Sequence, residues 1–280
     1  MAASFRLSNE ELALVSSLLG KPGCAYSFLG IADRDVNILE DDVEHARLLT
    51  AGHGLMARYA MSIGADGSVR LSDTLVHIGT VITAPDYCLD FSRTDDSGEW
   101  HTAFHFYKGQ IWEHFTEFGV VHEIQEIADI AQVRHAADEF FDLPANDENA
   151  AENNPPNWQL AMDTLEKFLE GAANNNAEET VGVLTQGGLP AEVAQALTTD
   201  VSQATMKGSI FRNEYDDGVI ISAQGCLFVK GPASLWLIEV PPLPESSGKV
   251  IIQRFTRAKL HQLFAQWTSG QGSKTLEWPL

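Results

Sequence analysis

Four histidines carry the chemistry this sequence could do. His101 and His105 alternate along a stretch of period-two residues, with Tyr107 beside them, and His114 and His122 fall on the two stretches that follow. Imidazoles gathered from neighbouring strands can ligate a transition metal, so His101, His105 and His114 form a candidate metal set. The residues that would orient such rings are not identifiable from spacing. The opposite face, with Trp100, Phe104 and Phe106, is the more apolar one. The histidines are therefore expected to face solvent or a helix edge. Glu113, Glu117, Glu123 and Glu126 crowd the same region. Paired carboxylates do acid–base work when one lies in a polar and one in an apolar setting. Nothing in the pattern separates these four that way, and a solvated sheet face is expected. No GxSxG, no Walker glycine–lysine loop and no Ser–His–Asp or Cys–His–Asn order is present. Gly64-Ala65-Asp66-Gly67 is a turn. The chain is thus expected to be no enzyme, with no catalytic residue and no cofactor; the alternative is a small-molecule or metal-dependent enzyme or sensor using the strand face of His101, His105 and His114.

A second feature is apolar. The stretch Leu235-Trp236-Leu237-Ile238 is flanked by Gly231-Pro232-Ala233 and by Val240-Pro241-Pro242-Leu243-Pro244. Such a strand reads either as a docking rim for a hydrophobic partner segment or as a central core strand. Leu235, Trp236, Ile238 and Leu243 are the candidate partner-binding residues.

Bulk composition narrows the choice of partner. The 280 residues are 44% hydrophobic and 20% charged, which suits a folded globule, and the net charge is −21. That charge argues against nucleic acid and against docking on anionic lipid. Cys24, Cys88 and Cys226 are odd in number and form no CxxC, which fits a reduced, cytoplasmic protein. The first residues lack a signal-peptide apolar run, and no stretch is long enough for a membrane span.

These residues must be positioned by the elements around them. Ser8 and Glu11 form a capping-box pair, with Leu7 and Leu12 as the staple, ahead of a helix bearing Val15, Leu18 and Leu19. Gly20, Pro22 and Gly23 end it. Residues 40–62 are helical in part, with a break at Gly52-His53-Gly54. Ser72 caps a helix carrying Leu75, Ile78 and Ile82, stopped by Pro85. Four antiparallel strands follow from Tyr87 to Ile127, turning at 94–98, at Lys108-Gly109 and at Gly119, and then a helix to 141. After an Asn- and Pro-rich stretch, an amphipathic helix is expected with Trp158, Ala161, Met162, Leu165, Phe168 and Leu169 on one side. Another begins at Pro190. Strands at 209–215, 219–222, 226–230, 235–240 and 249–255 precede a last helix from Thr256.

The order helix–meander–helix thus occurs twice. The expected class is α+β, a pseudo-twofold pair of duplicated units around a central sheet. The expected division is 1–141, a linker 142–157, 158–268, and a flexible tail 269–280.

This layout resembles the EspG family, cytosolic chaperones of mycobacterial type VII secretion. The likeness is carried by the stretch from Ala103 to Trp112 running into the helix at 128–141. It recurs from Leu235-Trp236-Leu237-Ile238 through the proline-rich loop to the last helix. The Asn-rich linker and the strong acidity depart from it. The resemblance implies a quasi-twofold α+β fold without enzymatic activity. It also implies a protein partner, the hydrophobic tip of a PE–PPE pair.

Overall fold

The computed structural model describes residues 4–31, 42–143, 156–174, 176–243 and 248–269. Most of the expected linker and nearly all of the expected tail lie outside these residues. The first run of elements is β1 (Ser4–Ser8), α1 (Asn9–Leu18), α2 (Pro22–Leu29), α3 (Asp42–Ala57), β2 (Met61–Ile63), β3 (Val69–Leu71), α4 (Asp73–Thr83), β4 (Tyr87–Asp95), β5 (Gly98–Tyr107), β6 (Gln110–Glu117), β7 (Val121–Ile127) and α5 (Ile130–Phe140). The second is β8 (Asn157–Ala161), α6 (Met162–Ala173), α7 (Ala177–Gln186), α8 (Ala191–Ser202), β9 (Met206–Asp216), β10 (Val219–Lys230), β11 (Leu235–Leu243), β12 (Lys249–Arg254) and α9 (Arg257–Thr268). The fold is α+β. In each run a leading strand pairs antiparallel with the last strand of the following meander, β1 with β7 and β8 with β12. The strand orders are β1-β7-β6-β5-β4 and β9-β10-β11-β12-β8.

The chain packs as two compact units. The first holds residues 1–90, 101–129 and 213–222, and the second holds 91–100, 130–212 and 223–280. In the first, Leu12 and Val15 of α1 and Leu75, Ile78 and Val81 of α4 bury one face of the meander through Trp112 and Ile124. Gly79 permits this approach, because a Cβ there would meet Val15 at 2.5 Å. In the second, Leu165 and Phe168 of α6, Leu184 of α7 and Leu197 of α8 cover Trp236, Ile238, Val250 and Ile252.

Several expectations need correction. The capping box at Ser8 and Glu11 is present, with Ser8 Oγ accepting from the Glu11 amide. Ahead of it, Ser4–Ser8 forms a strand the sequence did not indicate, in register with Val121–Gln125. Pro22 starts α2 instead of only ending α1, as its fixed φ suits a first helical turn. Helix α3 runs unbroken through Gly52-His53-Gly54, where an added Cβ would stand 3.2 Å from Met61 at Gly52 and 3.1 Å from Glu11 at Gly54. Trp158 and Ala161 belong to β8, not to the amphipathic helix, and Leu169 is exposed. Residues 219–230 are one strand with an irregularity between Ala223 and Gly225, not two strands.

Candidate functional site

The meander of the first unit brings three of the four histidines together. With Ala103 opposite His114 and Thr116 opposite His122, the rings of His105, His114 and His122 fall on a diagonal across β5, β6 and β7. His105 Nε2 lies 3.1 Å from His114 Nδ1, and His114 Nε2 lies 2.7 Å from His122 Nδ1. His122 Nε2 meets Asn9 Oδ1, at the start of α1, at 2.5 Å. Phe28 of α2 packs edge-on against His122 at 5.6 Å.

Of the two expected settings, solvent or a helix edge, these rings take the second, since α1, α2 and α4 cover this face. Burial drives the His105 pKa down to about 4, with the Asp90 carboxylate pulling the other way. Burial likewise sets His122 near 4, and it drives His114 well below the usual imidazole range, helped by its two histidine neighbours. His101 is exposed and takes no place in the row. The candidate set His101, His105 and His114 is thus not assembled around one point. Among the described residues, no three His, Cys, Asp or Glu side chains are placed to share a metal.

Asp90 of β4 closes the other end of this polar layer. Its carboxylate accepts from Asn213 Nδ2, from the Tyr215 hydroxyl at 2.6 Å and from the Cys88 thiol at 3.3 Å. Burial first, and then Asp90, raises the pKa of both Cys88 and Tyr215, so neither is a ready nucleophile. Of the four glutamates, Glu113 accepts from Gln125, Glu117 pairs with Arg6, Glu123 accepts from Ser4, and Glu126 accepts from Gln110. They are spread over the sheet and separately occupied.

In the second unit, β11 is a core strand. Trp236, Leu237 and Ile238 are each 0% exposed, so Trp236 and Ile238 present no surface to a partner. Leu235 is half-buried, and the side chain of Leu243 lies outside the described ones. Asp200 of α8, itself fully buried, fixes the start of this strand. It accepts from Trp236 Nε1 at 2.8 Å and from the Ala233 amide at 3.0 Å. Arg254 stands 3.6 Å from the same carboxylate and 3.8 Å above the Trp236 ring. Gly231 is required beside it, because a Cβ would meet Asp200 at 2.3 Å. At the far end of β11, Pro241, Pro242, Leu263, Gln266 and Trp267 line a groove of about 200 Å³.

One exposed apolar feature went unread in the sequence. Phe118, at the turn between β6 and β7, is 89% exposed and has φ 54°. Left-handed backbone is rare for a bulky residue and marks strain held by its surroundings. Asn9 supplies that hold. Its amide donates to the Val120 carbonyl and its Nδ2 to the Gly119 carbonyl, each at 3.2 Å. Val120 is half exposed beside it.

The chain is thus an α+β protein of helix-covered antiparallel meanders. The structure is similar to that of the Mycobacterium tuberculosis chaperone EspG5, solved in complex with the PE25–PPE41 dimer. The TM-score is 0.58 at 11% sequence identity, over 99% of this chain and 99% of that one. At that identity the likeness is one of fold. The chain belongs to the family described as uncharacterised protein YfjC, which matches residues 36–264. No curated protein matches it in sequence. Among the described residues, no helix is long and apolar enough to cross a membrane.

Proposed function

We propose that this chain is a non-catalytic protein-binding chaperone, acting in the cytoplasm on a partner that offers a hydrophobic segment. The observation that carries the reading is the end-to-end correspondence of its fold with a chaperone solved on its protein client. Two features of the chain support it. The buried polar groups of the first unit are engaged with one another, in the manner of structural networks. The turn at Phe118 and Val120 offers an exposed aromatic and an aliphatic side chain on a braced hairpin, the kind of rigid anchor that protein interfaces use. Leu235, Leu243 and the proline-lined groove make a second candidate contact in the other unit.

The test is to purify the chain from its native host after mild crosslinking and to measure the mass and stoichiometry of the product. A discrete complex of fixed ratio, lost with Phe118→Asp, is expected. A chain that migrates only as the free protein in native extracts would overturn the binding role. Full binding by Phe118→Asp would overturn the surface assignment.

A further inference from the structure

The histidine row has a direction, and it follows from Asn9. Because Asn9 Nδ2 donates to the Gly119 carbonyl, Oδ1 must be the atom facing His122 Nε2. A carboxamide oxygen has no proton to give, so His122 carries its proton on Nε2. Its Nδ1 is then a lone pair, approached by His114 Nε2 at 2.7 Å and by Thr116 Oγ1 at 3.3 Å. His114 must therefore donate from Nε2, which leaves its own Nδ1 to accept from His105 Nε2. All three rings are Nε2–H tautomers. The row runs out at His105 Nδ1, a buried lone pair with no hydrogen-bond partner, on a residue 6% exposed.

We propose that His105 Nδ1 is a proton-binding site and that the row from His105 to His122 is an acid-sensing device. The first proton adds to the vacant lone pair and breaks no bond of the row. It creates an imidazolium beside the Asp90 carboxylate. The charge can then pass by N–H to N transfer, from His105 Nε2 to His114 Nδ1 and onward, with no ring moving. A second proton has no vacant acceptor. It must set one ring N–H against another, which parts the row between two rings, while His122 Nε2–H, present in the neutral and the charged ring alike, stays on Asn9 Oδ1. Asn9 is the residue that holds the Gly119 and Val120 carbonyls.

The groups around the row fit this account. Asp90 and Cys88 face it from β4, and Tyr215 faces it from β9, through Asp90. Helix α4 offers His77, which lies against Trp112 at 5.4 Å. Helix α2 offers Phe28, and Glu126 of β7 is turned to Gln110 at 3.2 Å. Burial holds His105 and His122 near 4, so the device responds below neutral pH. The proton site does not rest on the binding role proposed above.

The test uses the full chain labelled with nitrogen-15 and long-range proton–nitrogen imidazole correlations recorded from pH 7.5 to 4. At pH 7.5 all three rings should report the Nε2–H tautomer. On acidification the first nitrogen to gain a proton should be His105 Nδ1. In His105→Gln, whose amide can still donate to His114, that first event should vanish while His114 and His122 stay Nε2–H. An Nδ1–H tautomer on any of the three rings at pH 7.5, or first protonation elsewhere, would overturn the proposal. The unaltered chain decides this even if the variant does not fold. A failure of the partner assay alone leaves these spectra unchanged.

Discussion

Acidification should destabilise this protein well above the pH at which its carboxylates titrate. A free histidine has a pKa of about 6.5. His105 and His122 titrate near 4 in the folded chain because burial penalises their charged forms. Between those two values the unfolded chain binds more protons than the folded one, so stability falls as pH falls from about 6.5 and levels off below about 4. At pH 5 linkage gives a loss of about 2 kcal/mol for each ring, or about 4 kcal/mol for the two, relative to pH 7.5. Against the 5–15 kcal/mol typical of a folded domain, about 4 kcal/mol is a large part of the whole. The assay is urea unfolding at fixed ionic strength, stepped from pH 7.5 to 5, on the parent and on His105→Gln/His122→Gln. Glutamine can accept and donate as each ring does but does not titrate. The parent should lose about 4 kcal/mol more than the double variant over that range. Curves that stay parallel to within about 1 kcal/mol would refute the reasoning, because every other titrating group is common to both chains.

Asp200→Ala removes the acceptor of Trp236 Nε1 and of the Ala233 amide and leaves Arg254 without its carboxylate. The expected loss is about 3–5 kcal/mol by chemical denaturation, and a loss below about 1 kcal/mol would show that the pair is replaceable by water. Phe118→Gly relieves a left-handed backbone at an exposed site. It should raise stability by about 1 kcal/mol while weakening partner binding, and a less stable variant would show that the ring makes stabilising contacts in the folded chain despite its exposure.

Much of the element order was legible because its signals are local. The capping box at Ser8, the cap at Ser72 and the turn at Lys108-Gly109 each follow from a few neighbouring residues. The leading strands were not legible. Ser4–Ser8 and Asn157–Ala161 are short, and what makes them strands is a partner more than eighty residues away. The histidine row lay in between. The turn at Lys108-Gly109 sets Tyr107 opposite Gln110, which already makes His105 and His114 diagonal neighbours. Counting register from that turn would have found the pair. His101 looked equivalent by alternation alone, but its end of β5 is uncovered. The Asp200 contact was out of reach, because nothing in the sequence near Trp236 indicates which helix will supply a carboxylate.

The two units answer the same problem, polar groups under a helical cover, in different ways. Around Asp200 the answer is a carboxylate with a guanidinium near it, indole and amide donors on its oxygens, and a glycine that allows the close approach. Such a site pays heavily in desolvation and is stable only while every partner is present. Around His114 the answer is a file of neutral rings, which avoids the charge but can be charged by acid. The neutral file ends on Asn9, and Asn9 is also what braces the strained turn at Phe118. A bulky residue keeps left-handed backbone only when its surroundings over-determine it. The three bonds made by Asn9 are that over-determination, and one of them is donated by His122 Nε2–H. The exposed Phe118 turn and the only hydrogen-bonded file of buried imidazoles of the first unit, among the described residues, therefore meet at Asn9.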